Sequence, residues 1–403
     1  MRRLLVFAVV LGACVATPAA SRAPSSTPSS TVTATATATA AAASPSPSPT
    51  ASPQRTRLGL VIADPGPPFV VRLRTEDEPT PFATLSGTGA AVSPDGVRLA
   101  YWHRDAGASD RQDALRVVDL FTGNETEITK LANEIPAGIA WRDDGGGLLF
   151  ASRSPSISGG GADPPPLYTA VRLFLFTSKE IRDLKRLEAA RFFPLGWNLA
   201  AHVVSGVDSG EGGIRRVYRF NEDGTSAGDT PGESRFQEIA DVTRDAKEIL
   251  GRYAFFTGGK SFSGIRTVSA VDARPIAERE AADGTFLLSA RFRPGTNDVL
   301  ALLRVTGDPS RYSLELWPSS PSAAPRRVWT GPPSTYASGD LIARVDGKAA
   351  YVRVDVPAGP SLWHAVDLNA GTSTALAMGS GAPPGGPSFF TTDEGIAKLK
   401  ALR

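Results

Sequence analysis

The chain has 403 residues, with 43 Lys and Arg against 41 Asp and Glu. This near-neutral balance, with no dense basic stripe, argues against a nucleic-acid-binding protein, which normally carries such a patch. The single cysteine excludes an intramolecular disulfide, so an exported form of the chain has to be stabilised by its core alone, which a fold of about 300 residues achieves.

The N-terminus has the pattern of an export signal. Two basic residues, Arg2-Arg3, precede a short apolar run from Leu4 to Leu11. Because a membrane-spanning helix needs about 20 apolar residues, the run predicts a processed signal. The string Leu11-Gly12-Ala13-Cys14 resembles the lipobox of bacterial lipoproteins. This resemblance implies removal of residues 1–13 and diacylation of the Cys14 thiol.

An alternative remains open at the same place. Cys14 is then an ordinary small residue in a conventional signal peptide, cut near Ala16, Ala19 or Ala20. The lipoprotein interpretation predicts an extracytoplasmic protein that is lipid-anchored to the cell membrane or the outer membrane, because two or more acyl chains anchor stably.

Residues 14–57 consist almost entirely of Ala, Ser, Thr and Pro. Such a composition buries too little apolar surface to fold, so the segment is predicted to be a disordered tether between the anchor and the rest of the chain. Its hydroxyl groups offer sites for O-glycans.

From residue 58 onward, short β-rich runs alternate with turn residues. The clearest unit occupies residues 91–129, where Ser93-Pro94-Asp95-Gly96 separates two apolar runs and Asp119 to Gly123 forms a second turn. Proline presets its own φ and glycine supplies a positive φ, so both turns are expected to join antiparallel strands. One unit therefore predicts four antiparallel strands.

The turn Ser93-Pro94-Asp95-Gly96, followed by Leu99-Ala100-Tyr101 and the Asp-Leu-x-x-Gly turn at 119–123, resembles the WD40-like repeat of TolB-type β-propellers. The same repeat occurs in the propellers of prolyl-oligopeptidase-class enzymes. The resemblance implies a propeller over 58–403. The additional α/β domain of TolB and the hydrolase domain of the peptidases are not expected here.

Weaker copies of the unit begin near Ile139, Phe193, Ile239, Ala290 and Asp340. Their spacing of roughly 50 residues is typical of propeller blades. Six complete units fill about 88–381. The runs between 58 and 85 lack an inner strand, and Ser388–Thr392 resembles one. The fold class predicted is therefore an all-β propeller of seven four-stranded blades, closed by N- and C-terminal strands in one blade.

Two segments are ambiguous. Lys179 to Arg191 has apolar residues at helical spacing but aligns with a fourth strand, and a strand is favoured. The C-terminal residues Ile396, Leu399 and Leu402 fit either a terminal helix or a strand, after a predicted turn at Asp393 to Gly395.

Several short patterns carry possible chemistry. Asp143-Asp144 and Asn221-Glu222-Asp223-Gly224 place oxygen atoms close together, as in a calcium site, but acidic residues before glycine are also ordinary turn chemistry, which is favoured. His103, His202 and His364 lie far apart, and packing or exposure is favoured over a metal site assembled from different blades.

Gly259 to Gly264 contains serines but lacks the spacing of a nucleophile elbow. The Gly159 to Gly161 insertion is expected to be a surface loop that contributes to a binding face. No catalytic, cofactor-binding or metal-binding residue is therefore predicted, and Cys14 is the one modification site.

The leading hypothesis is a monomeric, membrane-tethered scaffold that binds a protein or glycan partner in the cell envelope, without a cofactor. The alternative is a cell-envelope glycan hydrolase or lyase with its active site at the propeller channel. The missing linear motif is weak evidence against an enzyme, because propellers assemble sites from loops far apart in the sequence.

Overall fold

The computed structural model describes residues 55–63, 69–104, 112–155, 166–210, 213–228, 230–231, 238–257, 260–272, 274–307, 309–333, 339–355, 362–376 and 388–402. All of them belong to the compact unit Pro53–Arg403. Cys14, the export signal and the tether up to residue 54 lie outside the described residues. Within the described part, no helix is long and apolar enough to cross a membrane.

The described strands form antiparallel sheets in chain order. The first half of the chain contributes β1 (Thr56–Ala63), β2 (Val70–Thr75), β3 (Ala83–Val92), β4 (Arg98–Arg104), β5 (Asp113–Asp119), β6 (Glu125–Lys130), β7 (Ile135–Trp141), β8 (Gly147–Arg153), β9 (Tyr168–Leu175), β10 (Glu180–Glu188), β11 (Phe193–Asn198), β12 (Val203–Gly210), β13 (Gly213–Asn221) and β14 (Thr230–Pro231).

The second half contributes β15 (Glu238–Val242), β16 (Glu248–Thr257), β17 (Lys260–Ser269), β18 (Pro275–Glu280), β19 (Thr285–Phe292), β20 (Val299–Val305), β21 (Arg311–Trp317), β22 (Arg326–Pro333), β23 (Gly339–Ala343), β24 (Ala349–Val354), β25 (Leu362–Asp367), β26 (Ser373–Leu376), β27 (Ser388–Thr392) and the helix α1 (Asp393–Leu399).

Five sheets consist of four consecutive strands each, from β7–β10 to β23–β26. The remaining sheet has the order β27-β1-β2-β3-β4-β5-β6, and β3 divides it into two groups of four. Ala83 to Ser86 of β3 pair with β2, whereas Gly87 to Val92 pair with β4. This all-β arrangement confirms the predicted propeller fold. The count of seven blades stays a prediction.

The first and last described strands pair in one sheet, as the sequence predicts. Strand β27 pairs with β1 from Thr56 opposite Thr392 to Leu60 opposite Ser388. Strand β1 begins two residues before the predicted domain start at residue 58. Phe389 is fully buried against Phe82, with ring centroids 6.2 Å apart. The closing strand thus contributes both backbone pairing and core.

The hydrophobic core lies between neighbouring sheets. One cluster joins Trp102 and Leu115 of the β3–β6 group to Phe150 and Phe174 of the next sheet, and another joins strands β20 and β21 to β23–β25. Each sheet therefore buries both faces. This accounts for the near-continuous apolar runs in the second strand of a four-stranded sheet, such as β8 and β20.

The ambiguous segments are settled by local interactions. Residues Glu180–Glu188 form strand β10, so the favoured strand is confirmed. The segment Asp393 to Gly395, predicted as a turn, is instead the first turn of α1. Thr392 caps this helix by accepting a hydrogen bond from the Gly395 amide at 3.0 Å, and Ile396 and Leu399 are buried. The helical alternative is therefore the one observed.

Candidate functional site

A cavity of about 1260 Å³ opens at the centre of the sheet array. Its lining comes from the ends of the innermost strands and the turns that follow them, in β3, β7, β11, β15, β19, β23 and β27, together with Ala63 at the end of β1. Residues more than 200 positions apart in the sequence therefore share one surface. This central cavity is the candidate functional site.

The turns at the mouth of the cavity repeat one arrangement. In four of them an aspartate carboxylate accepts a hydrogen bond from the backbone amide two residues later: Asp95 from Val97 at 3.3 Å, Asp144 from Gly146 at 2.7 Å, Asp245 from Lys247 at 3.2 Å and Asp346 from Lys348 at 3.0 Å. Gly96 completes the first turn with a φ of +80°, and its amide donates to the Ser93 carbonyl at 2.8 Å. These carboxylates stabilise turns.

Asp143 differs from its neighbour Asp144. Both residues line the cavity, but the Asp144 carboxylate accepts from Arg142 and the Gly146 amide, whereas Asp143 Oδ1 accepts a hydrogen bond from the Leu199 amide at 3.3 Å. Burial raises the pKa of Asp143, and the negative charges of Asp144 and Asp245 act in the same direction. Sequence analysis grouped both aspartates as turn residues and could not separate them.

The carboxylates of the acidic turn at 221–224 also accept hydrogen bonds from nearby residues. The Glu222 carboxylate accepts from Trp197 Nε1 at 2.7 Å and lies 3.1 Å from His202 Nδ1. The Asp223 carboxylate accepts from the amide and the hydroxyl of Thr225 at 2.9 and 2.6 Å. These hydrogen bonds are typical of a turn, which is the interpretation that the sequence favours for this segment.

The three histidines lie in separate places. His103 is beside Tyr101, with ring centroids 6.2 Å apart, and His364 is beside Trp329 at 5.5 Å. His202 is exposed in a turn. Burial lowers the pKa of His364. Among the described residues, no group of three or more His, Cys, Asp and Glu side chains is arranged to hold a metal ion.

One wall of the cavity contains a polar pair that sequence analysis missed. The Asp241 carboxylate accepts from the Val242 and Phe292 amides, both at 2.9 Å, and Arg291 lies close enough to favour its charged form. Burial outweighs these effects and raises the pKa of Asp241. Both residues lie in strands with the pattern of ordinary apolar runs, so only the packing of β15 against β19 of the next sheet reveals the pair.

The cavity wall is held together by bonds between neighbouring sheets. Trp141 Nε1 donates to the Ala91 carbonyl at 2.9 Å, and Arg291 Nη1 donates to the Ala240 carbonyl at 2.6 Å. Arg98 Nη2 donates to the Gly145 carbonyl at 2.9 Å. Each contact spans about one repeat, so the turns are fixed in position by the next sheet.

The other predicted loops contribute no chemistry in the described residues. The end of the Gly259 to Gly264 string lies in strand β17, where Ser263 Oγ accepts from the Leu287 amide at 2.8 Å. This is a strand contact between sheets. The Gly159 to Gly161 insertion lies outside the described residues.

No protein-family model matches the sequence, and no curated protein matches it. Among solved structures, the chain is similar to TolB from Acinetobacter baumannii, with 12% identity and a TM-score of 0.40, over 83% of this chain and 66% of that one. It is similar to a putative 6-phosphogluconolactonase from Bacteroides fragilis, with 11% identity and a TM-score of 0.50, over 85% of this chain and 99% of that one.

The chain is also similar to an oligogalacturonate lyase solved with manganese, with 14% identity and a TM-score of 0.48, over 75% of this chain and 84% of that one. It spans about two-thirds of the TolB chain. At these identities the likeness concerns the fold alone. The four-stranded antiparallel sheets arranged around a central cavity identify the folded part of this chain as a β-propeller.

Proposed function

We propose that the protein is a lipid-anchored, extracytoplasmic scaffold that binds a protein or glycan partner of the cell envelope at the mouth of its central cavity. The observation that carries the proposal is the cavity of about 1260 Å³, lined by all the innermost strands. Pockets for small molecules are usually about 300–1,000 Å³, so this cavity accommodates a larger or extended ligand.

The rigidity of the mouth supports a binding role. Turns on a fixed scaffold are where partners usually dock. Here the turns are bonded to the neighbouring sheets, as in the Arg293 Nε to Gly347 carbonyl contact at 2.9 Å. A preformed surface loses little conformational entropy on binding, so more of the contact energy becomes affinity.

The position of the chain ends agrees with a tethered scaffold. Strand β1 begins at Thr56, opposite Thr392, and the Phe390 amide donates to the carbonyl of the turn residue Gly96 at 2.7 Å. Thr56, the first residue of β1, therefore lies on the face that carries the cavity mouth. The proposal places the domain within reach of insoluble envelope polymers on that side.

The test is to block the mouth of the cavity with a large side chain. Ala200 is exposed and lines the cavity, whereas Ala370 is exposed in a turn outside the lining. In the soluble fragment 55–403, Ala200→Trp should abolish binding to isolated envelope polymers or proteins, and Ala370→Trp should leave it unchanged. Equal binding by both variants would show that the cavity is not the binding surface.

A second candidate function is a cell-envelope glycan hydrolase or lyase. The observation that favours it is Asp143, a cavity carboxylate whose pKa burial raises, because such groups serve in general acid–base catalysis. Turnover of cell-wall glycans by the fragment 55–403, lost in Asp143→Asn, would support the enzyme over the scaffold.

A further inference from the structure

We propose that Arg244, Arg291 and Arg293 form an oxyanion-binding site in the cavity, and that the ligand is a glycan bearing a carboxylate or phosphate group on its repeating unit. The inference rests on the proposed binding role of the cavity and names the chemistry of its ligand. All three arginines line the cavity, on strand β15, strand β19 and the turns that follow them.

These arginines lack the ion pairs that many other arginines of the domain form. Among the described residues, arginine side chains commonly form ion pairs within 4.0 Å of a carboxylate, as Arg172 does with Glu134 at 2.8 Å. None of the described ion pairs involves Arg244, Arg291 or Arg293. Among the described residues, Arg244 and Arg293 therefore have no ion-paired carboxylate, and the carboxylate close to Arg291 is that of Asp241, which also accepts two backbone amides.

The hydrogen bonds of these arginines leave donors for a ligand. Arg291 Nη1 donates to the Ala240 and Ala290 carbonyls at 2.6 and 2.9 Å, and Arg293 Nε donates to the Gly347 carbonyl at 2.9 Å. These bonds use one nitrogen of each guanidinium, which has five N–H donors. The fork that remains matches the two oxygens of a carboxylate or phosphate.

Three acidic residues of the cavity lining form ion pairs with basic residues that do not line the cavity. Asp144 pairs with Arg142 at 2.7 Å, Asp245 with Lys247 at 3.0 Å and Asp340 with Arg353 at 3.0 Å. These carboxylates therefore compete little for the three arginines.

Two acidic residues of the lining remain. Burial raises the pKa of both Asp143 and Asp241, which disfavours their negative charge. Asp143 follows strand β7, whereas the β15 and β19 side has three arginines and Lys247 against the two carboxylates of Asp241 and Asp245, so positive groups outnumber negative ones there. The cavity therefore has one side with positive charge, and this is where an anion is expected to bind.

The inner strands favour a glycan over a peptide. Five of them have a register shift against their partner: β3, β7, β11, β15 and β19. Such bulges interrupt the edge along which an extended peptide would pair its backbone. A glycan needs no continuous strand edge, because side chains recognise its charged groups.

The experiment measures binding of the fragment 55–403 to four probes by isothermal titration calorimetry at low ionic strength. The probes are trigalacturonate, its methyl ester, a glycerol-phosphate trimer and hexaglutamate. The ester keeps the sugar chain and removes its charge. The galacturonate and phosphate probes distinguish the two sources of the oxyanion.

The variants are Arg244→Gln and a matched control, Arg274→Gln. Both arginines are exposed turn residues, but only Arg244 lines the cavity. We expect one of the charged glycans to bind at least tenfold more tightly than the ester. Arg244→Gln should weaken that binding at least about tenfold, as loss of a charge-assisted hydrogen bond does, and Arg274→Gln should not.

The inference is overturned if the ester binds as well as trigalacturonate while the phosphate trimer does not bind. It is equally overturned if the two arginine variants behave alike, if hexaglutamate is the tightest ligand, or if no charged glycan binds. The proposed scaffold function survives each of these results as long as Ala200→Trp still abolishes envelope binding. It fails separately if Ala200→Trp has no effect.

Discussion

Replacing Phe389 by alanine tests whether the closing strand stabilises the whole domain. Phe389 is fully buried on β27, packs edge-on to Phe82 and meets the backbone of β1 at Gly59. Removing a buried phenylalanine costs about 3–5 kcal/mol, through lost apolar burial and the cavity left behind. Since a domain is stable by only about 5–15 kcal/mol in total, the substitution should remove a large part of the stability.

The assay is urea unfolding of the fragment 55–403, followed by tryptophan fluorescence. The nearly fully buried Trp102, Trp197, Trp317 and Trp363 lie in four different sheets, and the last three lie outside the sheet that contains β27, so their signals also report on the domain away from the substitution. We expect one transition at a lower urea concentration, with all four tryptophans losing their native environment together. Cooperative loss is expected because an opened closing sheet leaves β1 with an unpaired edge.

The matched control is Phe255→Ala, at a phenylalanine that is 38% exposed on strand β16. It removes the same atoms with much less burial, so it should cost less than about 1 kcal/mol. If Phe389→Ala and Phe255→Ala differ by less than about 1 kcal/mol in the free energy of unfolding, the closing strand does not stabilise the domain in the way argued here.

Three further predictions concern other features. Gly59→Ala should destabilise the fragment, because its Cβ would lie 2.6 Å from a backbone carbonyl and 2.3 Å from a buried ring, whereas Gly307→Ala, with its nearest atom at 3.4 Å, should be neutral in thermal unfolding. Burial alone would raise the pKa of Asp346, but hydrogen bonding to Arg344 lowers this pKa overall. The Asp346 carboxylate therefore stabilises the folded state above its ordinary pKa of about 3.9, and this contribution is lost as the pH falls through the pKa of the folded state. Asp346→Asn should therefore flatten the decline in urea midpoint below about pH 4, and an unchanged acid profile would count against this. Cys14→Ser should release the protein from the membrane fraction, and retention there without secretion would contradict the lipid anchor.

The fold was accessible from the sequence because its signals are local. The turn Ser93-Pro94-Asp95-Gly96 fixes its own geometry through proline, glycine and a carboxylate, so it indicates a hairpin wherever it lies. The closing strand was also predictable, since the residues at 58–85 lacked one strand and Ser388–Thr392 supplied it. The helix after Thr392 was ambiguous, because a seven-residue helix depends on its cap and its packing more than on periodicity.

The site was far less accessible. Arg244 and Arg293 follow their strands by one or two residues and look like ordinary turn neighbours. Their placement at one cavity depends on the packing of the β15–β18 sheet against the β19–β22 sheet. The bulges at Ala240 and Leu288 have no distinctive residue type, so nothing in the sequence marks them. Burial likewise separates Asp143 from Asp144 only in three dimensions.

The antiparallel pairing of β1 on both sides has a mechanical consequence. A pull applied at Arg55 acts along β1, roughly perpendicular to its hydrogen bonds. Five residue pairs with β2 and five with β27 are then loaded together in shear, instead of being broken one after another. The domain therefore resists a pull at Arg55 through both neighbours of β1 at once.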